Sequence, residues 1–62
     1  MSRLREIRQE QGFTQKQLAR KAGITERTIF SMEHGVPPRQ DSKRRVLKAL
    51  HIDWQRRAEV FG

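Results

Sequence analysis

Apolar side chains recur at every third or fourth position through most of the chain, the spacing that places them on one face of an α-helix. In the first such stretch Leu4, Ile7 and Gln11 share a face with Arg8. No stretch alternates apolar and polar residues over several positions, so the pattern predicts no β-strand. The predicted helices cover about residues 2–11, 15–22, 26–33, 42–50 and 54–61.

Residues that start and stop helices stand at the ends of these stretches. Thr14 is a predicted N-cap, and Gln17 three positions later completes a capping box. Thr25 and Asp53 are the predicted caps of the third and fifth helices. Glycines that favour a left-handed stop follow the first three helices, at Gly12, Gly23 and Gly35.

The inward faces of these helices define a candidate core. A chain of 62 residues is enough for one domain, which we assign to residues 1–62. We therefore expect an all-α fold, a compact domain of four to five helices, with Ile52 and Trp54 packed back on the core. The residues expected to be most buried are Leu4, Phe13, Leu18, Ala19, Ile24, Ile29, Met32, Val46, Leu47 and Leu50.

The charge balance indicates the class of partner. The chain has 14 Lys and Arg against seven Asp and Glu, a formal net charge of +7. The excess is spread along the chain, since residues 1–35 hold seven basic and four acidic side chains and residues 36–62 hold seven and three. A compact basic surface attracts polyanions, so nucleic acid is the first expected partner and a membrane surface the second.

Several classes of protein are disfavoured by what the sequence lacks. It has no cysteine, which excludes disulfides and thiolate metal sites and favours a cytoplasmic setting. No apolar run has the length of a signal peptide core or a membrane span. His34 and His51 lack the spacing of metal ligands, and no catalytic motif is found. We expect no metal, no cofactor and no enzymatic activity.

Residues 15–34 carry the most specific pattern in the chain. Two short helices flank Gly23, which accepts a left-handed turn, and Ala19 is small enough for the helices to approach closely. The wedge between them is filled by aliphatic side chains, at Leu18, Ala22, Ile24, Ile29 and Met32. Two helices joined by a short turn containing glycine form the pattern of a helix-turn-helix.

Motifs along most of the chain match one known family. They are Leu4-Arg5-x-Ile7-Arg8, Gly12-Phe13-Thr14-Gln15, Leu18-Ala19, Ala22-Gly23-Ile24-Thr25, Ile29, Glu33-x-Gly35, Pro38 and Ala49-Leu50-x-Ile52. On these residues the sequence resembles the lambda repressor/Cro-type, or XRE-type, helix-turn-helix family. The resemblance implies a lambda-repressor-like fold and a sequence-specific transcriptional regulator that binds double-stranded DNA. It further implies a repressor in the cytoplasm of a bacterium or encoded by a phage.

The resemblance also implies that the third helix, from about Thr25 to Met32, lies in the DNA major groove. Arg27 has the donors to bond guanine O6 and N7, and Glu26 is suited to a cytosine amino group. Arg27 is alternatively a phosphate contact or a solvated charge, and Glu26 alternatively pairs with Arg27 or a nearby base. The candidate base-reading residues are Glu26, Arg27, Thr28 and Ser31.

A second set of residues is expected to contact DNA phosphates. Gln15 begins the second helix, where free backbone N–H groups bind anions, so its N–H and its side-chain amide both suit a phosphate oxygen. Thr25 is alternatively only a helix cap. Family members usually place apolar residues early in the fourth helix, whereas this chain has Gln40, Lys43 and Arg44 there. The candidate phosphate contacts are Gln15, Lys16, Thr25, Arg39, Lys43 and Arg44.

One further pair of residues is assigned a structural role. The resemblance implies an ion pair between Arg8, on the apolar face of the first helix, and Glu33, at the end of the third. A charge that faces the core must be paired, because leaving it alone costs several kcal/mol. We therefore expect these two side chains to lie within hydrogen-bonding distance.

The sequence leaves alternatives open for the oligomeric state and for the binding partners. A homodimer on a palindromic operator is expected, with its contact in residues 51–62, where Val60 and Phe61 are predicted to be exposed. Similar proteins also serve as antitoxins that bind a toxin protein besides their own operator. A binder of RNA or of a membrane surface is a third interpretation, which the few aromatic residues and the narrow apolar face of the last helix disfavour.

Overall fold

The computed structural model describes residues 2–62, and within that range every regular element is helical. The five helices are α1 Leu4–Glu10, α2 Gln15–Ala22, α3 Glu26–Glu33, α4 Gln40–Ala49 and α5 Arg57–Phe61. A 3₁₀ turn, Trp54–Arg56, leads directly into α5. The predicted all-α architecture is confirmed, and the predicted bounds of α2 and α3 agree with the structure.

Side-chain caps fix where α2 and α3 begin. Thr14 Oγ1 accepts a hydrogen bond from the Gln17 N–H at 3.0 Å, and the Thr14 N–H donates to Gln17 Oε1 at 2.9 Å. Thr25 Oγ1 accepts from the Thr28 N–H at 3.2 Å. These bonds satisfy backbone donors that have no partner inside the helix, so both starts are determined locally by sequence.

The start of α4 lies two residues before the predicted position. Arg39 has the extended backbone of an N-cap residue, and the helix begins immediately after it at Gln40. Asp41 then pairs with Arg45 one turn later at 3.0 Å, which favours the first turn. Asp53 occupies the N-cap position of the 3₁₀ turn, but the predicted side-chain cap is wrong, because the Asp53 side chain makes no capping hydrogen bond.

The N-terminal segment is joined to α5. The Arg3 N–H donates to the Val60 carbonyl at 2.8 Å, and Ser2 Oγ donates to the same oxygen at 3.1 Å. Ser2 Oγ also accepts from the Leu4 N–H, so α1 starts at Leu4 and not at residue 2. Val60 is 0% exposed, and the prediction that it lies on the surface is wrong. It is buried because α5 folds back against α1.

The core is formed where all five helices meet. Phe13 and Ile24 are only half-buried, since both lie in turns at the edge of the core, and the Lys21 ammonium lies 5.1 Å from the Phe13 ring centre. Ile52 and Trp54 pack against the core as predicted. The buried apolar residues are Leu4, Leu18, Ala19, Ala22, Ile29, Met32, Val46, Leu47, Ala49, Leu50 and Val60.

His51 follows the C-cap residue of α4 and has a conformation that L-residues avoid. Its φ is +58°, the only positive value at a non-glycine residue within 2–62. A left-handed backbone costs a residue with a side chain about 1–2 kcal/mol, part of which glycine recovers. We expect His51→Gly to raise the free energy of unfolding by about 0.5–1 kcal/mol in urea titrations. His34→Gly is the control, because His34 has a φ of −101° and should lose stability on the same change.

Candidate nucleic-acid interface

The turn between α2 and α3 sets the direction in which α3 leaves the core. Gly23 has a φ of +74°, and the Ile24 N–H donates to the Ala19 carbonyl at 3.0 Å. Ile29 and Met32 hold the inner face of α3 in the core. The opposite face of α3 is therefore presented to solvent at the surface of the domain.

Two grooves lie on either side of that exposed face. The first, which we call the loop-side groove, lies between α3 and the segment that leads into α4, and Arg27, Thr28, Ser31, Pro38 and Arg39 are among its lining residues. The second, the α1-side groove, lies between α3, the end of α1 and the start of α2. Arg5, Gln15, Lys16, Glu26 and Phe30 are among the residues that line it.

The four candidate base-reading residues are thus divided between the two grooves. Arg27, Thr28 and Ser31 come together in the loop-side groove, and Glu26 lies in the α1-side groove. Glu26 and Arg27 are exposed, whereas Thr28 and Ser31 are half-buried. The two charged residues therefore have the longest reach from the exposed face of α3.

Thr25 and Thr28 form a local network at the start of α3. The two hydroxyl groups lie 2.8 Å apart, and Thr25 Oγ1 also accepts from the Thr28 N–H. Both hydroxyls therefore have a partner within the protein. Each retains capacity for one more hydrogen bond, so a further contact to a ligand is chemically available to either.

The Gln15 side chain has a partner that sequence reasoning missed. Its amide donates to Glu33 Oε1 at 3.2 Å and is half-buried against the end of α3. One of the two N–H donors of the amide is thereby engaged inside the protein, and the other remains available for a phosphate, which stays a prediction. The backbone N–H groups of Gln15 and Lys16 have no acceptor inside α2, whereas that of Gln17 is bonded to the Thr14 hydroxyl.

Arg8 and Glu33 form the ion pair that joins α1 to α3. Arg8 Nε donates to Glu33 Oε2 at 2.6 Å, and Arg8 Nη2 donates to Glu33 Oε1 at 3.2 Å. The third guanidinium nitrogen, Nη1, donates to the Phe13 carbonyl at 2.7 Å. The side chains are only 9% and 1% exposed. Since every polar atom of the pair has a partner, the bridge fixes the C-terminal end of α3 without an unsatisfied charge.

The remaining cationic candidates differ in how firmly they are held. Lys16 and Arg39 are exposed and make no salt bridge within residues 2–62. The Arg44 guanidinium lies 4.5 Å from the centre of the Trp54 ring, and the Lys43 ammonium lies 5.9 Å from the Phe61 ring. The Arg44 and Lys43 side chains are positioned by aromatic rings and not by carboxylates, so no paired negative charge neutralises them.

Phe30 is an exposed residue of α3 that the sequence did not single out. Half of its surface, 50%, is open to solvent, and its ring stacks on His34 with the ring centres 3.9 Å apart. The sequence spacing could have identified it, because Phe30 follows Glu26 by four residues and therefore lies on the same outward face of α3.

Residues 2–62 contain no group of three or more His, Asp or Glu side chains placed to hold a metal ion. None of the helices in that range has the length and apolar character to cross a membrane.

The comparisons with known proteins agree with this geometry. A family model described as helix-turn-helix matches residues 4–56, which is most of the 62-residue chain. Searches of curated proteins and of solved structures found no match. The matched range begins with α1 and ends in the 3₁₀ turn, and it includes both helices of the α2–α3 pair. The chain belongs to the helix-turn-helix family of the lambda repressor/Cro type, a family of DNA-binding regulatory domains.

Proposed function

We propose that the protein is a sequence-specific regulator of transcription that inserts α3 into the major groove of double-stranded DNA and acts as a repressor. The observation that carries this proposal is the exposed face of α3 with a cation on each side. Lys16 lines the α1-side groove and Arg39 lines the loop-side groove. Phosphates flank the major groove on both sides, so cations on both sides of a central helix suit that target.

The contacts then divide into two kinds. Arg27 reads guanine through two hydrogen bonds, and Glu26 accepts one from a cytosine amino group. Thr28 and Ser31, which are half-buried, contact bases only where the groove brings them close. Base contacts of this kind provide sequence preference, and each good bidentate contact discriminates by about 1–3 kcal/mol.

Contacts to phosphates fix the position of α3 in the groove. We assign them to Lys16, Arg39, Lys43 and Arg44, together with the backbone N–H of Gln15 and the hydroxyl of Thr25. They provide affinity for any DNA and its dependence on salt. The surplus of positive charge, +7, is consistent with this use.

We propose further that two copies bind an operator made of two half-sites about one helical turn apart. One domain of this size contacts few base pairs, and a second copy doubles the sequence that is read. Since Val60 lies in the core, the contact between copies uses the half-buried Trp54 and Phe61 of the C-terminal segment. So small a surface favours dimer formation on DNA over a stable dimer in solution.

Selection of bound duplexes from a random pool tests the function. The expected result is one enriched, palindromic sequence, bound by two chains at saturation, as measured by footprinting and native mass spectrometry. A promoter carrying that sequence should lose transcription when the protein is added. A pool that gives no enriched sequence contradicts sequence-specific binding, and a site saturated by one chain contradicts the dimer.

A further inference from the structure

Phe30 is one of two large apolar side chains that are openly exposed within residues 2–62, and it is the one that lies on α3. The other, Val36, lies in the loop before α4 and is 55% exposed. Phe30 lies on the same side of α3 as Glu26, one turn earlier, and both line the α1-side groove. An apolar ring therefore stands next to Glu26, on the α1-side flank of the surface that we assign to DNA bases.

The Phe30 ring is held in a defined position. Its plane stacks on the His34 ring at an angle of 22°, and His34 Nδ1 lies 2.8 Å from the Phe30 carbonyl oxygen. The hydrogen bond fixes the imidazole, and the imidazole then covers the phenyl ring. A side chain that is ordered before binding loses less entropy when a ligand arrives.

The surroundings of the ring indicate the kind of ligand. Lys16 and Arg5 line the same groove and make no salt bridge within residues 2–62. Of the two carboxylates in this groove, Glu33 is paired with Arg8 and only Glu26 makes no salt bridge in the described part of the chain, so the two free cations outnumber it. The ring therefore suits an apolar group carried by a polyanion.

In the major groove that apolar group is the 5-methyl group of thymine. A base that stacks on an aromatic ring needs an open ring face, and His34 already covers one face of Phe30. A methyl group contacts a smaller part of the ring than a stacked base does, so it suits a ring that His34 partly covers.

We propose that Phe30 is a specificity-determining residue that reads the methyl group of one thymine in each half-site, with His34 as its positioning residue. The proposal rests on the proposed function, since it assumes that α3 enters the major groove. It adds an apolar contact to the polar reading by Glu26 and Arg27. The half-site therefore contains a thymine close to the bases that these two residues contact.

Replacement of single thymines by deoxyuridine tests the contact, because it removes the methyl group and keeps the base pair. The probe is the duplex that the wild-type protein selects from a random pool, with each thymine replaced in turn. Burial of one methyl group changes affinity by about fourfold. At one thymine of each half-site we expect a loss of about fourfold for the wild type and no loss for Phe30→Ala.

Val36→Ala is the matched truncation, since it shortens the other exposed apolar side chain. Val36 lines the loop-side groove, so overall affinity is not the readout, and the fourfold sensitivity to the methyl group should be kept. His34→Ala should reduce the sensitivity to the methyl group while affinity for random duplex stays unchanged. Circular dichroism and thermal melting establish that each variant is folded.

The outcomes separate the two proposals. If the wild type selects a sequence but no thymine methyl group matters, or if Phe30→Ala keeps the sensitivity, the assignment of Phe30 is wrong and DNA binding stands. If the wild type selects no sequence from the pool, the proposed function itself is wrong, and Phe30 then has no base to read.

Discussion

Replacing Glu33 by alanine should lower the free energy of unfolding by about 3–5 kcal/mol, the usual cost of removing one partner from a buried ion pair. The Glu33 side chain is 1% exposed, and the change leaves the Arg8 guanidinium without its two carboxylate bonds. It also frees the Gln15 amide. Domains of this length have a total stability of about 3–9 kcal/mol, so much of the variant should be unfolded at 25 °C. Urea titration followed by circular dichroism measures the effect.

Glu6→Ala is the control for that experiment. Glu6 pairs with Arg3 at 3.2 Å, but the two side chains are 60% and 57% exposed. An exposed pair contributes about 0–1 kcal/mol because water screens it. Equal losses of unfolding free energy for Glu33→Ala and Glu6→Ala would show that the buried Arg8–Glu33 bridge stabilises the fold no more than an exposed pair does. A second variant, Arg8→Met with Glu33→Leu, should recover part of the loss, since it leaves no buried charge alone.

The second large effect is expected on DNA recognition. Arg27→Ala should weaken binding to the selected sequence by about 1–3 kcal/mol and remove the preference at one base pair. Affinity for random duplex should fall much less. The physical reason is that Arg27 is exposed at the start of α3, two residues after its cap, where the helix meets base edges. Binding isotherms on selected and random duplexes at several salt concentrations measure both quantities.

Lys43→Ala provides the contrast, because a phosphate contact serves every sequence equally. It should weaken selected and random duplexes alike and lower the salt slope by about one. Arg44→Ala should do the same, with some loss of packing on Trp54. Arg56→Ala removes the same charge from a side chain already paired with Glu59, and it reports the effect of net charge alone. If Arg27→Ala behaves like Lys43→Ala, then Arg27 contacts the backbone and another residue of α3 reads the base.

The α2–α3 pair shows how far sequence reasoning reaches. The bounds of both helices, the Thr14 and Thr25 caps and the left-handed Gly23 were predicted correctly. Each depends on residues within about one helical turn, where the choice of backbone conformation is made by local hydrogen bonds and steric limits. The start of α4 was missed because its first turn is stabilised by charge pairing and carries no capping residue.

The candidate site was predicted less completely than the fold. Helical spacing identified the outward residues of α3, but it does not say which neighbouring element each of them meets. The separation of Glu26 from Arg27 into two grooves follows from where the start of α2 and the loop before α4 pack. The exposure of Phe30 was not predicted, since helical spacing does not show whether a neighbouring element covers an aromatic ring.

By itself the sequence determined the helical fold, the helix-turn-helix and the family, because periodicity, caps and glycines act over a few residues. The tertiary structure alone decided that Val60 is buried, that the Gln15 amide bonds Glu33, and that His34 covers Phe30. The first two depend on contacts between residues distant in the chain, 58 positions apart for Ser2 and Val60 and 18 for Gln15 and Glu33. The third joins residues only four positions apart, but spacing alone does not select the rotamers that stack the two rings. No local pattern encodes the first two contacts, since they form only when separate helices share one core.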